Sequence, residues 1–351
     1  MDRSQSAPDP LEGEPKDWFS YIAIVRSDVA RKYFPTEEAF VAESEVIARS
    51  ESVKTFLSKF GIRVKILVAN DHLAERLRQD KPDLCINFVD TVHGSGPKSS
   101  GIPTVFNLLS IPFVGADTLA LAINNNKFLT KTLLEAWEIP TPQYQLFRSS
   151  TQELDYDLRF PLIVKLNEEH GSVGIGQNSV VTNERELRDR IKFLLDTYKQ
   201  PVLVEEFIEN GRELTGVVLE AKQTKVFLSE RKFDAPQGQE FKLVTFETKW
   251  ATDLGKEEPV EYVAFETENK RLLSTIKQDL RLAFDVLKMD DLGRFDIMLD
   301  KYNNHYIVDC NANPSLGPES SVARTALANN QKFATILLNI LQRNRLDVQT
   351  S

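Results

Sequence analysis

The chain has 351 residues, 41% hydrophobic and 27% charged, which is long enough for two or three packed domains and ordinary for a globular protein. A formal net charge of −9 excludes the broad basic face of a non-specific nucleic-acid binder and leaves room for a local basic pocket. No apolar run reaches the roughly eighteen residues of a membrane span, the four histidines give no zinc signature, and the distant Cys85 and Cys310 read as reduced thiols of a cytoplasmic protein.

Residues 1–16 are polar and rich in proline and acid, lack the apolar core of a secretory signal, and are expected to be a disordered lead-in. Between residues 17 and 125, β-rich runs at 21–25, 64–68 and 84–89 alternate with a helical stretch over 37–60. Phe40, Val41, Ile47, Val53 and Leu57 are expected on one face of that helix. A Gly/Ser/Pro-rich loop over 93–101 follows the third run. The alternation predicts an open α/β layer with a parallel sheet, whose ligands sit beyond the carboxyl ends of the strands, where His93 falls.

From residue 126 a helix over 127–137 stops at a turn where Pro140 and Pro142 forbid continuation. A strand over 161–166, a loop with Gly171, Gly174 and Gly176, a strand over 179–182, a helix N-capped by Asn183 and a strand over 201–208 make a small lid-like α+β unit. Lys165 lies in the apolar strand PLIVKL; burying an unpaired ammonium is costly, so an anion is expected opposite it, and a phosphate qualifies. An edge-strand lysine reaching water is the alternative. Lys127, taken alone, reads as a solvated helix lysine. The loop HGSVGIG can bring backbone N–H groups and the Ser172 hydroxyl to phosphate oxygens, but no GK[ST] follows it. Glu205, Phe207, Ile208 and Glu213 in VLVEEFIENGRE offer an apolar wall beside acceptors, as an adenosine site needs; a plain strand with one polar face explains them equally well.

Strands continue beyond residue 213 to a polar excursion over 231–261 that carries Lys249, then an amphipathic helix over 270–287 and a terminal helix over 331–344. Between these helices, GRFDIMLDKYNNHYIVDCNANPSLGPESS reads as two adjacent strands and a turn. Side chains two apart on a strand share a face, so Asp309 and Asn311 point the same way, and Asp296 on the neighbour reaches the same point. Two carboxylates and an amide oxygen suit Mg²⁺ that keeps positions for water and phosphate. Arg294 can face a phosphate or acyl phosphate. The turn at 311–317 frees backbone N–H groups beside the metal. The constellation is that of a protein handling a nucleoside triphosphate.

Lys127, Lys165 with its glycine loop, EEFI…GRE, a loop lysine, RFD and DCN occur in an order that resembles the ATP-grasp superfamily, most closely the D-alanine–D-alanine ligases. PDLCINFVDTVHGSG and IPFVGADTLALAINNNK also resemble segments of that family. The resemblance implies a three-domain ATP-grasp fold of the α/β class: an N-terminal parallel α/β substrate domain over 17–125, and two α+β domains clasping ATP, a lid over 126–212 and a catalytic domain over 213–351. It implies ATP with Mg²⁺ or Mn²⁺, a small carboxylic acid and an amino acid as substrates, and a homodimer. Lys127 and Lys165 would bind the phosphates, with the Ser172 loop closing over them. Glu205, Phe207, Ile208 and Met298 would line adenine and Glu213 the ribose. Lys249 would reach the γ-phosphate, and Asp296, Asp309 and Asn311 would hold the metal. Arg294 would stabilise the acyl phosphate and tetrahedral intermediate, Ser320 would contact the second substrate's carboxylate, and His93 would lie near the first.

The departures bear on the substrate. Asp309 stands where the family has glutamate, Ser315 where it has glycine, Gly171 where alanine ligases have serine, and Trp250 where they have tyrosine. PKSSG replaces the acidic GEDG, and no GG-x-S-x-E segment follows the first strand. The serine, the tyrosine and an N-domain glutamate surround the first D-alanine's ammonium in the family, so a first substrate other than D-alanine is expected, a larger or differently charged acid. Relatives that attach serine or threonine to mycosporine-glycine are the analogous case. The alternatives are a D-alanine–D-alanine ligase with an altered pocket and a non-catalytic ATP-binding protein.

Overall fold

The structure, a computed structural model, describes residues 15–221, 223–233, 241 and 260–350. Strands β1 (Tyr21–Ser27), β2 (Arg63–Ala69), β3 (Leu84–Phe88) and β4 (Phe113–Val114) form a parallel sheet in the order β2-β1-β3-β4. All of β3 and nearly all of β1 are buried, as strands covered on both faces must be.

Helix α1 (Glu37–Ser58) begins at Thr36, whose hydroxyl accepts the Ala39 N–H. Its buried stripe is Ala39, Glu43, Val46, Ser50, Val53 and Leu57, with Arg49 beside it. This corrects the expected face: Phe40 and Val41 are only half-buried and Ile47 is exposed. A 3.6-residue period fixes the stripe, and polar side chains take core positions on it because they find partners. Ser50 Oγ donates to the Val46 carbonyl at 2.6 Å and Arg49 pairs with Asp90 at 2.7 Å.

After α2 (Leu73–Asp80), the expected loop over 93–101 instead contains α3 (Gly96–Ser99) and opens α4 (Gly101–Leu108). Pro97 and Pro103 both fall in a first helical turn, where a missing N–H costs nothing. Helices α5 (Thr118–Asn124) and α6 (Lys127–Ala136) start at the caps Asp117 and Asn126.

The second sheet is antiparallel, β5-β8-β6-β7, built from β5 (Tyr144–Phe147), β6 (Leu162–Leu166), β7 (Val180–Val181) and β8 (Val202–Glu206). Helix α7 (Glu184–Tyr198) packs on it, capped by Asn183 as expected. The third sheet, also antiparallel, runs β11-β10-β9-β12-β13, from β9 (Arg212–Leu219), β10 (Lys225–Phe233), β11 (Val260–Ala264), β12 (Leu292–Leu299) and β13 (His305–Asn311). Helix α8 (Lys270–Val286) lies so close to this sheet that a Cβ on Gly216 would meet Leu280 Cδ1 at 2.5 Å, and one on Gly293 would meet Phe284 Cδ2 at 2.9 Å. Residues 234–240 and 242–259, with Lys249 and Trp250, lie outside the described residues.

Two helices end the chain: α9 (Ser321–Ala328), which the sequence reading lacks, and α10 (Phe333–Thr350), longer than expected. They share one core with the first sheet, in which Ile22, Ile24, Val53 and Leu57 meet Val322, Ala326, Leu337 and Ile340. Among the described residues, no helix is long and apolar enough to cross a membrane.

Candidate active site

A cleft of about 770 Å³ lies between the second and third sheets, bordered by the glycine loop. Lys127, Lys165, Ser172, Glu205, Phe207, Ile208, Glu213, Arg294, Asp296, Met298, Asp309 and Ser320 all line it. A smaller cavity of about 120 Å³ adjoins it; Arg49, His170, Gly171, Arg294 and Ser315 border both, and Asn311 faces the smaller one. Of the sequence-predicted site residues among the described residues, the structure thus brings together all except His93.

The register of β12 and β13 sets Asp296 directly opposite Asp309 and Arg294 opposite Asn311. Lys127 Nζ is 3.0 Å from Asp309 Oδ1, and Arg294 Nε is 3.3 Å from Asp296 Oδ1. Burial alone would push the Asp309 carboxyl up; the charges of Lys127, Lys165, His170 and Arg294 outweigh it and hold Asp309 well below the usual carboxylate range. Asn311 Oδ1 accepts the Asn313 N–H at 2.9 Å. Two facing carboxylates and an amide oxygen are a hard donor set that fits Mg²⁺ or Mn²⁺. Among the described residues no cluster of three or more His, Cys, Asp or Glu could enclose an ion, so water or phosphate would complete its shell.

The anion expected opposite Lys165 is present within the protein. Lys165 Nζ is 2.7 Å from Glu205 Oε1, and Lys131 Nζ is 3.1 Å from Glu205 Oε2. This corrects the reading of Glu205 as an open acceptor beside adenine: the residue borders the cleft, but its carboxylate is buried, 1% exposed, between two ammoniums. Lys165 also donates to the Val308 carbonyl at 3.2 Å. Lys131 donates to Thr141 Oγ1 at 2.7 Å, and Thr141 donates on to the Ile307 carbonyl at 2.9 Å. Burial pushes the Lys131 amine down to about 8 against the pull of Glu205. The sequence signal for Lys131 was its place one turn after Lys127 and one turn before the buried Leu134.

Gly171, Ser172 and Gly174 hold φ of 70°, 61° and 69°, the left-handed region that tightens the loop. The Gly174 N–H donates to Glu38 Oε2 of α1 at 3.2 Å, and the Arg190 guanidinium donates to the Gly174 carbonyl and to Ser179 Oγ. Glu213 pairs with Arg231 at 2.6 Å. Ser320 caps α9, its Oγ accepting the Ala323 N–H at 3.2 Å and donating to the Gly317 carbonyl at 2.7 Å.

His93 does not reach the cleft. Its ring lies 4.8 Å from that of Tyr33, and its Nε2 is 4.0 Å from Asp71. It lines neither cavity, because the contacts it makes are with Tyr33 and Asp71 at the rim of the first sheet.

The smaller cavity holds groups that sequence reading passed over. Glu43, on the buried stripe of α1, lines it with Asp90, Thr91 and Asn124. Burial, then the nearby Asp90 charge, raises the Glu43 carboxyl to about 7. Glu43 Oε1 and Asn124 Oδ1 are buried with no hydrogen-bond partner among the described residues. Ser315, in the glycine position, donates to Glu45 Oε1 at 3.1 Å and ties the turn after β13 to α1. An N-terminal carboxylate therefore faces the site from mid-helix, without the segment expected after the first strand.

Residues 133–342 match the family described as D-ala D-ala ligase C-terminus. An uncharacterized protein of Sinorhizobium fredii, y4sG, is 28% identical over 259 residues, covering 74% of this chain and 73% of its own length. The D-alanine–D-alanine ligase of Carboxydothermus hydrogenoformans is 27% identical over 315 residues, 86% of this chain and 94% of that protein. The crystal structure of the D-alanine–D-alanine ligase from Bacillus anthracis complexed with ATP superposes with a TM-score of 0.67 at 17% identity, covering 94% of this chain and 99% of that one.

Proposed function

We propose, because this chain belongs to the D-Ala–D-Ala ligase family and is an ATP-grasp, ADP-forming carbon–nitrogen ligase, that its cleft joins a small carboxylic acid to the amine of an amino acid. A carboxylate oxygen attacks the γ-phosphorus and ADP leaves. The amine then attacks the acyl carbon, phosphate departs, and the amine's proton passes to solvent. Lys127 and Lys165 hold the phosphate tail. Phe207, Ile208 and Met298 contact adenine and Glu213 the ribose, with Lys249 approaching from the polar excursion. Asp296, Asp309 and Asn311 hold Mg²⁺, which when bound neutralises charge on the transferring phosphoryl group. Arg294 stabilises the acyl phosphate and the tetrahedral oxyanion, and Ser320 orients the second substrate's carboxylate. Residues 17–125 serve the acid, 126–212 form the lid and 213–351 carry the chemistry.

The observation that carries this reading is the pair Asp296 and Asp309, facing across one strand pair, with Lys127 and Arg294 on either side in the cleft.

Gly171 and Ser315, which differ from the alanine ligases, support a first substrate other than D-alanine, with serine or threonine joined to mycosporine-glycine as the analogous product. The unpartnered oxygens of Glu43 and Asn124 favour a second reading, in which the first substrate keeps an ammonium, as D-alanine does. Phosphate release from ATP, with mass spectrometry of the product, separates the two. Turnover on D-alanine alone establishes the second reading; turnover only with another acid and an amino acid establishes the first. ATP binding without turnover on any acid and amine overturns both.

A further inference from the structure

A lysine that is to bind phosphate is poorly served by a buried carboxylate 2.7 Å away, because the two charges cancel. Lys165 has such a neighbour in Glu205, which is 1% exposed. The cancellation is undone by a third charge. Lys131, whose side chain is 3% exposed, approaches the other oxygen of Glu205 at 3.1 Å. With Lys131 the group Lys131–Glu205–Lys165 carries one net positive charge, and of its two cations Lys165 is the one that borders the cleft.

Hydrogen bonds hold both ammoniums in place. Thr141, itself donating to the Ile307 carbonyl, accepts from Lys131 and anchors the ammonium. Lys165 is held by the Val308 carbonyl one residue along β13, next to Asp309. Lys127 and Lys131, one helical turn apart on α6, thus serve the site differently: Lys127 meets Asp309 directly, and Lys131 works from behind Glu205.

We propose that Lys131 is a positioning residue for nucleotide binding: by sharing Glu205 it leaves Lys165 with the charge and the placement needed to hold the phosphate tail. This rests on the reading of Lys165 as a phosphate ligand.

The test compares binding of ATP and of adenosine to Lys131→Met, Lys131→Arg, Lys165→Met and the double variant Lys131→Met/Glu205→Gln, with folding checked by thermal melting. Lys131→Met is expected to weaken ATP about ten- to hundredfold and to leave adenosine nearly unchanged. Lys131→Arg should recover most of the loss. The double variant, which removes one positive and one negative charge together, should bind ATP better than Lys131→Met. If Lys131→Met does not fold, the double variant and Lys131→Arg decide: near-normal ATP affinity in both supports the proposal, and a large loss in both overturns it. Equal losses of ATP and adenosine in Lys131→Met mean a structural role only, and overturn it as well. Lys165→Met separates the two readings. Weakened ATP there with an unaffected Lys131→Met removes the role of Lys131 alone, whereas unaffected ATP in Lys165→Met removes the phosphate assignment itself.

Discussion

Arg294 is half-buried, paired with Asp296 and opposite Asn311 at the cleft wall, so it is not a solvating surface charge. Arg294→Ala is expected to lower ligation by about a hundred- to a thousandfold, the loss typical of one oxyanion donor, while ATP still binds. Single-turnover phosphate release alongside nucleotide titration checks this, and unchanged product formation would take Arg294 out of the chemistry. At this scale the sequence was informative where the spacing was local. Asp296, Asp309 and Asn311 lie on a hairpin, and a period of two is enough to bring them together. It was silent where pairing crosses elements. Glu205 read as an acceptor beside adenine because Lys131 and Lys165 are distant in sequence, and Glu43 was passed over because nothing local marks its stripe as buried.

Elements were legible where pattern and cap agree. Asn183 and Asn126 cap their helices, and β1, β2 and β3 of the first sheet fall where β-rich runs predicted them, whereas the two-residue β4 was too short to read. Helix α9 was missed because it spans only eight residues behind a proline turn; its one sequence mark was Ser320 as a cap. The contact of α8 with the third sheet has a direct test in Gly293→Ala, whose new methyl would lie 2.7 Å from Met289 Sδ and 2.9 Å from Phe284 Cδ2. Overpacking of this kind costs about 1–3 kcal/mol. The melting temperature should fall by several degrees with little change in ATP affinity, because Gly293 faces the helix and not the cleft. Gly94→Ala is expected to be at least as damaging: its backbone sits at φ 73° and an added Cβ would lie 2.1 Å from the Tyr33 carbonyl oxygen. Equal melting temperatures for that variant and the parent would contradict this backbone path.

Charge buried throughout the molecule sets its response to acid. Burial raises Glu43, Glu169 and Asp291 to about 7. A carboxyl raised by folding favours the native state when protonated; that contribution is complete below its unfolded value near 4 and disappears as pH rises through 7. Asp309 and Asp83 are shifted the other way, against their burial, Asp309 by neighbouring cations and Asp83 mainly by hydrogen bonds from Ser20 and Tyr21. Their contributions are complete above about 4 and fade below it. Melting temperature of the ligand-free protein should therefore rise from pH 8 to about pH 5 and fall again below pH 4. Asp291→Asn should flatten the upper limb, and a profile rising steadily to pH 8 would refute the assignment. Asp291 is central because it joins distant parts: it accepts from Arg343 at 2.7 Å, from Asn344 at 2.8 Å and from the Gly115 N–H at 3.0 Å.

The core shared by the first sheet with α9 and α10 makes the chain's two extremities interdependent. Residues 17–125 produced by themselves would lose the part of this core that Val322, Ala326, Leu337 and Ile340 supply, and should aggregate; supplied with residues 321–350 in trans, the same fragment should regain solubility.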